Sequence, residues 1–282
     1  MIDTSRNVRF QPSLVTRSSN LEKLQERDFE RPYKLKTVVE IARMSGPLFY
    51  EEWFTDKTFT SDWTSHNFPV WISALVGFRD KSARILEIGS YEGRSAVFFL
   101  NYLPRSTIVC VDVFSVYEFA KAWPDIVAQL PRIERRFDRN VREFGSRVKK
   151  IKANSTDLLK QLRFRFRSFD IIYIDGDHRA KAAHDDCMLS WPLLSEGGVM
   201  IIDDYEFDAE ELLVDRPKLG VDTFLMRIAG TFDEIHRGYQ IIIQKRPLRL
   251  TQRIAEAAKR LNVFFLQNVL YKSNDAQPQV RE

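Results

Sequence analysis

Ala83-Arg84-Ile85-Leu86-Glu87-Ile88-Gly89-Ser90-Tyr91-Glu92-Gly93-Arg94-Ser95, continued by Ala96-Val97-Phe98-Phe99-Leu100, is the stretch from which the fold class is read. It predicts a short buried strand stopping at a carboxylate, a turn bounded by glycines, and a helix that opens after Gly93. Glycine in such a turn lets the backbone approach a ligand, and the first amides of the helix are donors without an intrahelical partner. The stretch therefore predicts a ligand loop. A dinucleotide fingerprint would need glycine at positions occupied by Tyr91 and Arg94. A phosphate-cradling P-loop would need four residues between its glycines and then lysine, whereas Gly89 and Gly93 enclose Ser90, Tyr91 and Glu92 and are followed by Arg94-Ser95.

Downstream, strand and helix patterns alternate, as in a parallel sheet covered on both faces. Strands are predicted over Thr107–Val111, Val148–Ile151, Phe169–Ile174 and Val199–Ile202, with a turn at Ser195-Glu196-Gly197-Gly198. Helices are predicted over Phe68–Phe78, Leu158–Leu162 (capped by Ser155 or Thr156), Ala180–Leu193 and Asp222–Ala229. Phe232–His236 and Tyr239–Gln244 flank Arg237-Gly238 as a hairpin. Four of these strands end at carboxylates: Glu87, Asp112, Asp175 and the pair Asp203-Asp204. Ligands bind parallel sheets at the carboxyl ends of the strands, so acids gathered there mark a site.

Composition narrows the class. A chain of 282 residues with 44% apolar and 29% charged residues has the make-up of an ordinary globular domain. Apolar runs such as Val70–Phe78 are too short to span a bilayer and the first residues hold no apolar signal core, which points to the cytoplasm. The two cysteines, Cys110 and Cys187, form neither a metal pair nor a disulfide framework. The surplus behind the net charge of +4 is spread over several segments; in the densest, Arg132 to Arg167, charges alternate with apolar positions as on solvated faces of helices and strands, which speaks against nucleic acid. The expected organisation is a polar arm over residues 1–35, a helical extension over 36–80, an α/β domain over 81–246, and a basic amphipathic helix near Arg253–Leu270 with a polar tail over 247–282. Trp53, Trp63 and Trp71 in the extension either roof the pocket or pack against the sheet. The last helix either packs on its own domain or meets a membrane or a second subunit, and a homo-oligomer stays open.

The order of motifs from Ile85 to Lys245 resembles the class I S-adenosylmethionine-dependent methyltransferases. The segments Asp170-Ile-Ile-Tyr-Ile-Asp175-Gly-Asp177-His178 and Leu194-Ser-Glu-Gly-Gly-Val-Met-Ile-Ile-Asp203-Asp204-Tyr205 resemble the small-molecule O-methyltransferases of methyltransferase family 24, those of antibiotic sugar methylation, and the catechol and caffeoyl-coenzyme A enzymes. The resemblance implies a doubly wound, mostly parallel seven-stranded sheet of Rossmann-like methyltransferase type, with N-terminal helices and a C-terminal helix. It implies S-adenosylmethionine held by Glu87, Gly89, Ser90 and Gly93, with its ribose on Asp112 and its adenine bordered by Asn154, Ser155 and Thr156. Asp175, Asp203 and Asp204 match positions where relatives hold a divalent metal, commonly Mg²⁺, and an all-oxygen set suits such a hard cation. Asp175 thereby belongs to the catalytic and the cofactor sets. His178 stands where several relatives place a lysine that deprotonates the acceptor, and Asp203-Asp204 agrees with the sugar enzymes where the catechol type carries Asp-Asn. The expected activity is O-methyl transfer to a small hydroxylated acceptor such as a sugar or natural product. The alternatives are metal-independent methylation of nitrogen or nucleic acid, and an idle cofactor-binding partner subunit.

Overall fold

The computed structural model describes residues 50–115, 124–162, 168–207 and 215–247, with backbone alone for 124–131. The N-terminal arm, the helix pattern over 37–49, the arginines at 163, 165 and 167 and the C-terminal helix lie outside the described residues.

Seven strands form one sheet: β1 (Arg84–Ile88), β2 (Thr107–Asp112), β3 (Val148–Lys152), β4 (Phe169–Ile174), β5 (Leu194–Ile202), β6 (Phe232–Arg237) and β7 (Ile241–Lys245). Their order is β3-β2-β1-β4-β5-β7-β6. The first five strands run parallel, and β7 joins β5 and β6 antiparallel, as the hairpin pattern predicts. The strand order reverses between the neighbours β1 and β4, the point where open α/β sheets form a ligand crevice. Helices α1 (Phe68–Leu75), α2 (Arg94–Tyr102), α3 (Pro124–Asn140), α4 (Ser155–Leu162), α5 (Ala180–Ser190) and α6 (Pro217–Arg227) accompany the sheet. Among the described residues no helix is long and apolar enough to cross a membrane.

Central strands of a sheet covered on both faces must be apolar at every position, and Ile171–Ile174 and Val199–Ile202 are buried without a break. One layer of the core is aromatic. Phe68 stacks on Phe98 at 4.2 Å and Trp71 on Phe99 at 4.9 Å, while Tyr173 meets both Trp71 and Phe99 edge-on. The indole N–H of Trp71 donates to Gln240 Oε1 at 2.7 Å, which satisfies the polar atom of a fully buried ring. Trp53 packs against Phe98, whereas Trp63 is 55% exposed.

The differences from the predicted elements have tertiary causes. β5 runs from Leu194, so Ser195-Glu196-Gly197-Gly198 is part of the strand. The pairing jumps from Phe169↔Leu194 to Ile171↔Val199, a bulge that absorbs the extra residues, with Gly197 at φ +74°. Helix α6 begins at Pro217, and its Gly220 meets the carbonyl of Ala180 on α5, where an added Cβ would lie 1.9 Å from that oxygen. A helix-disfavouring glycine is thus kept for close packing. Helix α5 ends at Ser190 and continues as a 3₁₀ turn to Leu193, and α1 likewise ends at Leu75 before a 3₁₀ turn to Phe78. Ser155 and Thr156 lie inside α4; its cap is Asn154, whose Oδ1 accepts the Asp157 amide at 3.2 Å. The charge pattern also hid α3, whose buried Ile133, Phe137 and nearby Val141 recur every four residues.

Candidate functional site

The site begins where β1 ends. Gly89, at φ +82°, lies against the first residue after β4: a Cβ there would stand 1.7 Å from the Asp175 carbonyl oxygen. The β1 and β4 loops therefore touch, a closeness that only glycine permits. Gly93, at φ +81°, precedes α2 and closes a tight turn through its amide to Ser90 O at 2.7 Å. Asp112 at the end of β2 shapes the same loop. Its Oδ2 accepts the Tyr91 amide at 2.8 Å and its Oδ1 the Phe114 amide at 2.7 Å, which holds both residues at positive φ. Burial raises the Asp112 carboxyl against the lowering effect of these amides. Glu87 is fully buried, accepts from Ser95 Oγ at 2.5 Å and has its carboxyl pushed up by desolvation. It ties β1 to the first turn of α2.

Across the crevice, β4 and β5 deliver a cluster of acids. The Tyr173 hydroxyl donates to Asp175 at 2.9 Å and also bonds Asp203. Asp204, at φ +55°, accepts from Tyr239 at 2.8 Å, and its other oxygen lies 2.7 Å from His178 Nδ1. Burial, then the charges of Asp203 and Asp204, push Asp175 well above the usual carboxylate range. Burial, then Asp204, push Asp203 up to about 6. Burial also works against the charged form of Asp204, but the His178 contact outweighs it and holds the carboxyl low. His178 is raised, since Asp204 outweighs the desolvation that would lower it. One ligand atom each from Asp175, His178 and Asp204 lie within 4.8 Å of one another, a spacing that could hold a cation. This group includes His178 and leaves out Asp203, which Tyr173 engages.

Loop and acid cluster face one cavity of about 540 Å³. Of the residues singled out in the sequence, Gly89, Ser90, Asp112, Asp175, His178, Asp203 and Asp204 line it, whereas Glu87, Gly93, Asn154, Ser155 and Thr156 do not. Its roof comes from the segment before α1, through Phe59, Trp63 and His66. Glu92, at 1% exposure, binds that segment by accepting from the amide and hydroxyl of Thr60 at 2.5 Å each, and pairs with Arg136 at 2.7 Å. Asn140 exchanges bonds with the Thr58 backbone at 3.0 and 2.9 Å. In the sequence Glu92 reads only as a spacer between glycines, and Tyr173 as one more apolar strand residue. A hydroxyl in the middle of Phe169–Ile174 was the one local hint of the second.

Residues 86–205 match the family model described as a methyltransferase domain, of the family 24 type. Over this stretch the chain is similar to a methyltransferase domain. The match ends at Tyr205, so it takes in the glycine loop and both acidic strand ends but neither the roof nor the hairpin. No curated protein matches the chain. Among solved structures, the cofactor-bound Rv0187 from MTB has the same fold, with 14% identity, a TM-score of 0.50, and coverage of 78% of this chain and 100% of that one. The MycE methyltransferase of the mycinamycin biosynthetic pathway, in complex with Mg, SAH and mycinamycin VI, has 18% identity and a TM-score of 0.47 over 74% of this chain. The chain spans about half of that protein, 54% of its length. A putative caffeoyl-CoA O-methyltransferase from Staphylococcus aureus has 13% identity and a TM-score of 0.49, covering 75% and 98% of the two chains.

Proposed function

We propose that the methyltransferase domain catalyses S-adenosylmethionine-dependent O-methylation of a small hydroxylated acceptor, such as a sugar or natural product, with a divalent cation at the acid cluster, in the cytoplasm. The observation that carries this reading is that the glycine loop with Asp112 and the Asp175–His178–Asp204 group form opposing parts of one cavity. The residues fit both groups. The glycines keep side chains off the loop where it meets β4, and each Asp112 oxygen, with one amide bonded, keeps lone pairs for ribose hydroxyls. Three carboxylates packed together with two raised well above their usual range call for a positive charge.

Bound S-adenosylmethionine supplies the methyl group, and a divalent cation supplies positive charge that acidifies a nearby hydroxyl. The chain's own residues do the rest. Asp204 orients His178 through Nδ1, and its negative charge stabilises the imidazolium that forms when His178 takes the acceptor's proton. Tyr173 orients Asp175. Phe59, Trp63 and Tyr91 form an apolar wall that excludes water and holds the acceptor for in-line attack. Turnover of a panel of hydroxylated acceptors, followed by release of S-adenosylhomocysteine, tests the activity. Tight cofactor binding with no turnover of any acceptor would make the chain a binding subunit instead.

Two expectations follow for the ligands. Asp112→Ala removes the acceptor for two loop amides and the proposed ribose contacts, and should weaken S-adenosylhomocysteine binding by about 1–3 kcal/mol in calorimetry. Unchanged affinity would take Asp112 out of the ribose role. Exhaustive chelation should abolish most activity, and Mg²⁺ or Mn²⁺ should restore it. Full activity in protein shown metal-free by elemental analysis would leave the acid cluster a structural role.

A further inference from the structure

A second hollow, of about 380 Å³, is lined by Thr58 and four arginines of α3: Arg132, Arg135, Arg136 and Arg139. Their spacing by three and four places them on one helix face, where like charges repel unless an anion gathers them. Among the described residues of this helix the acidic ones are paired elsewhere. Glu134 pairs with Lys150 and Lys152, and Asp138 with Lys150, on the side of β3. Arg136 is matched by Glu92. Arg132, Arg135 and Arg139 are exposed and have no acidic partner among the described residues. The hollow adjoins the main cavity, because Thr58 lines the one and Phe59 the other, and Glu92 and Asn140 brace the segment between them.

We propose that the arginine-lined hollow on α3 binds the phosphate or diphosphate group of a small molecule. Guanidinium forks match phosphate oxygens bidentately, and several forks around one small space match a compact polyanion. An extended nucleic acid fits less well. Among the described residues no aromatic side chain lines the hollow to stack a base. Lys150 and Lys152 are neutralised, and Arg147 spends its donors on the carbonyls of Leu100, Leu103 and Ser106.

The test is calorimetric titration of the full chain with inorganic pyrophosphate and, separately, with uridine diphosphate at low salt. Wild type should bind pyrophosphate, and the double variant Arg135→Ala/Arg139→Ala should bind it about tenfold or more weakly. Lys160→Ala, which removes an exposed charge from α4, should leave binding unchanged. Uridine diphosphate binding through the same arginines would extend the site to esterified diphosphates, whereas binding of pyrophosphate alone would confine it to the free anion. Absence of pyrophosphate binding, or equal affinity in wild type and the double variant, would overturn the proposal. So would a single-stranded oligonucleotide that binds through these arginines more tightly than pyrophosphate. None of these readouts depends on methyl transfer.

Discussion

His178→Ala is expected to lower the single-turnover rate of methyl transfer by roughly 10² to 10⁴ while leaving S-adenosylhomocysteine affinity nearly intact. The size is that of a positioned proton acceptor removed from a site that otherwise stays assembled. The pair with Asp204 at 2.7 Å fixes the ring by one nitrogen. Since the acidic surroundings raise the imidazole's pKa, the wild-type rate should climb with pH through a range above that of an ordinary histidine, and the variant should lose that limb. Metal titration separates the two roles open to this residue. If His178 is the base, the variant saturates with the cation at the wild-type concentration; if it is a ligand, affinity drops by about 10- to 100-fold. A variant with the wild-type rate and pH profile would hand the proton to another group lining the cavity, such as His66 or Asp177.

Gly89→Ala should damage the protein more than any other single methyl group added to the loop. At φ +82° an L-residue is strained, at a cost of about 1–2 kcal/mol, and here the new carbon would also meet a backbone oxygen at 1.7 Å. Backbone cannot swing aside as a side chain can, so the β1 loop and the end of β4 would have to part. We expect a loss on the order of 3–5 kcal/mol in denaturant unfolding, together with loss of cofactor binding. Gly230→Ala supplies the comparison, since Gly230 has φ +80° with nothing within 4 Å of an added Cβ. It should lose only the strain, about 1–2 kcal/mol. Equal losses in the two variants would show that the contact with Asp175 contributes nothing.

Much of the fold was legible in the chain because a parallel sheet writes itself locally. Buried strands must be apolar at consecutive positions and helices must repeat near four, so β1, β2, β4 and the closing hairpin stand out, and so do the carboxylates at their ends. The glycine spacing also separated this loop from the dinucleotide and P-loop types before any neighbour was known. Elements were misjudged where their cause lay elsewhere in the molecule. The glycines inside β5 and α6 look like breakers until the bulge opposite β4 and the carbonyl of Ala180 are in view.

The amino-acid sequence by itself determined the class of sheet, the glycine-bounded loop after β1 and the set of acidic strand ends. The tertiary structure decided which of those acids stand together with His178, that Tyr173 bridges Asp175 and Asp203, that Glu92 holds the roof, and that the arginines of α3 gather around one hollow. The physical reason is range. Periodicity and turn chemistry act over a few residues and are printed in local order, whereas these pairings join residues tens of positions apart and exist only once strand order and helix packing have brought their side chains within bonding distance.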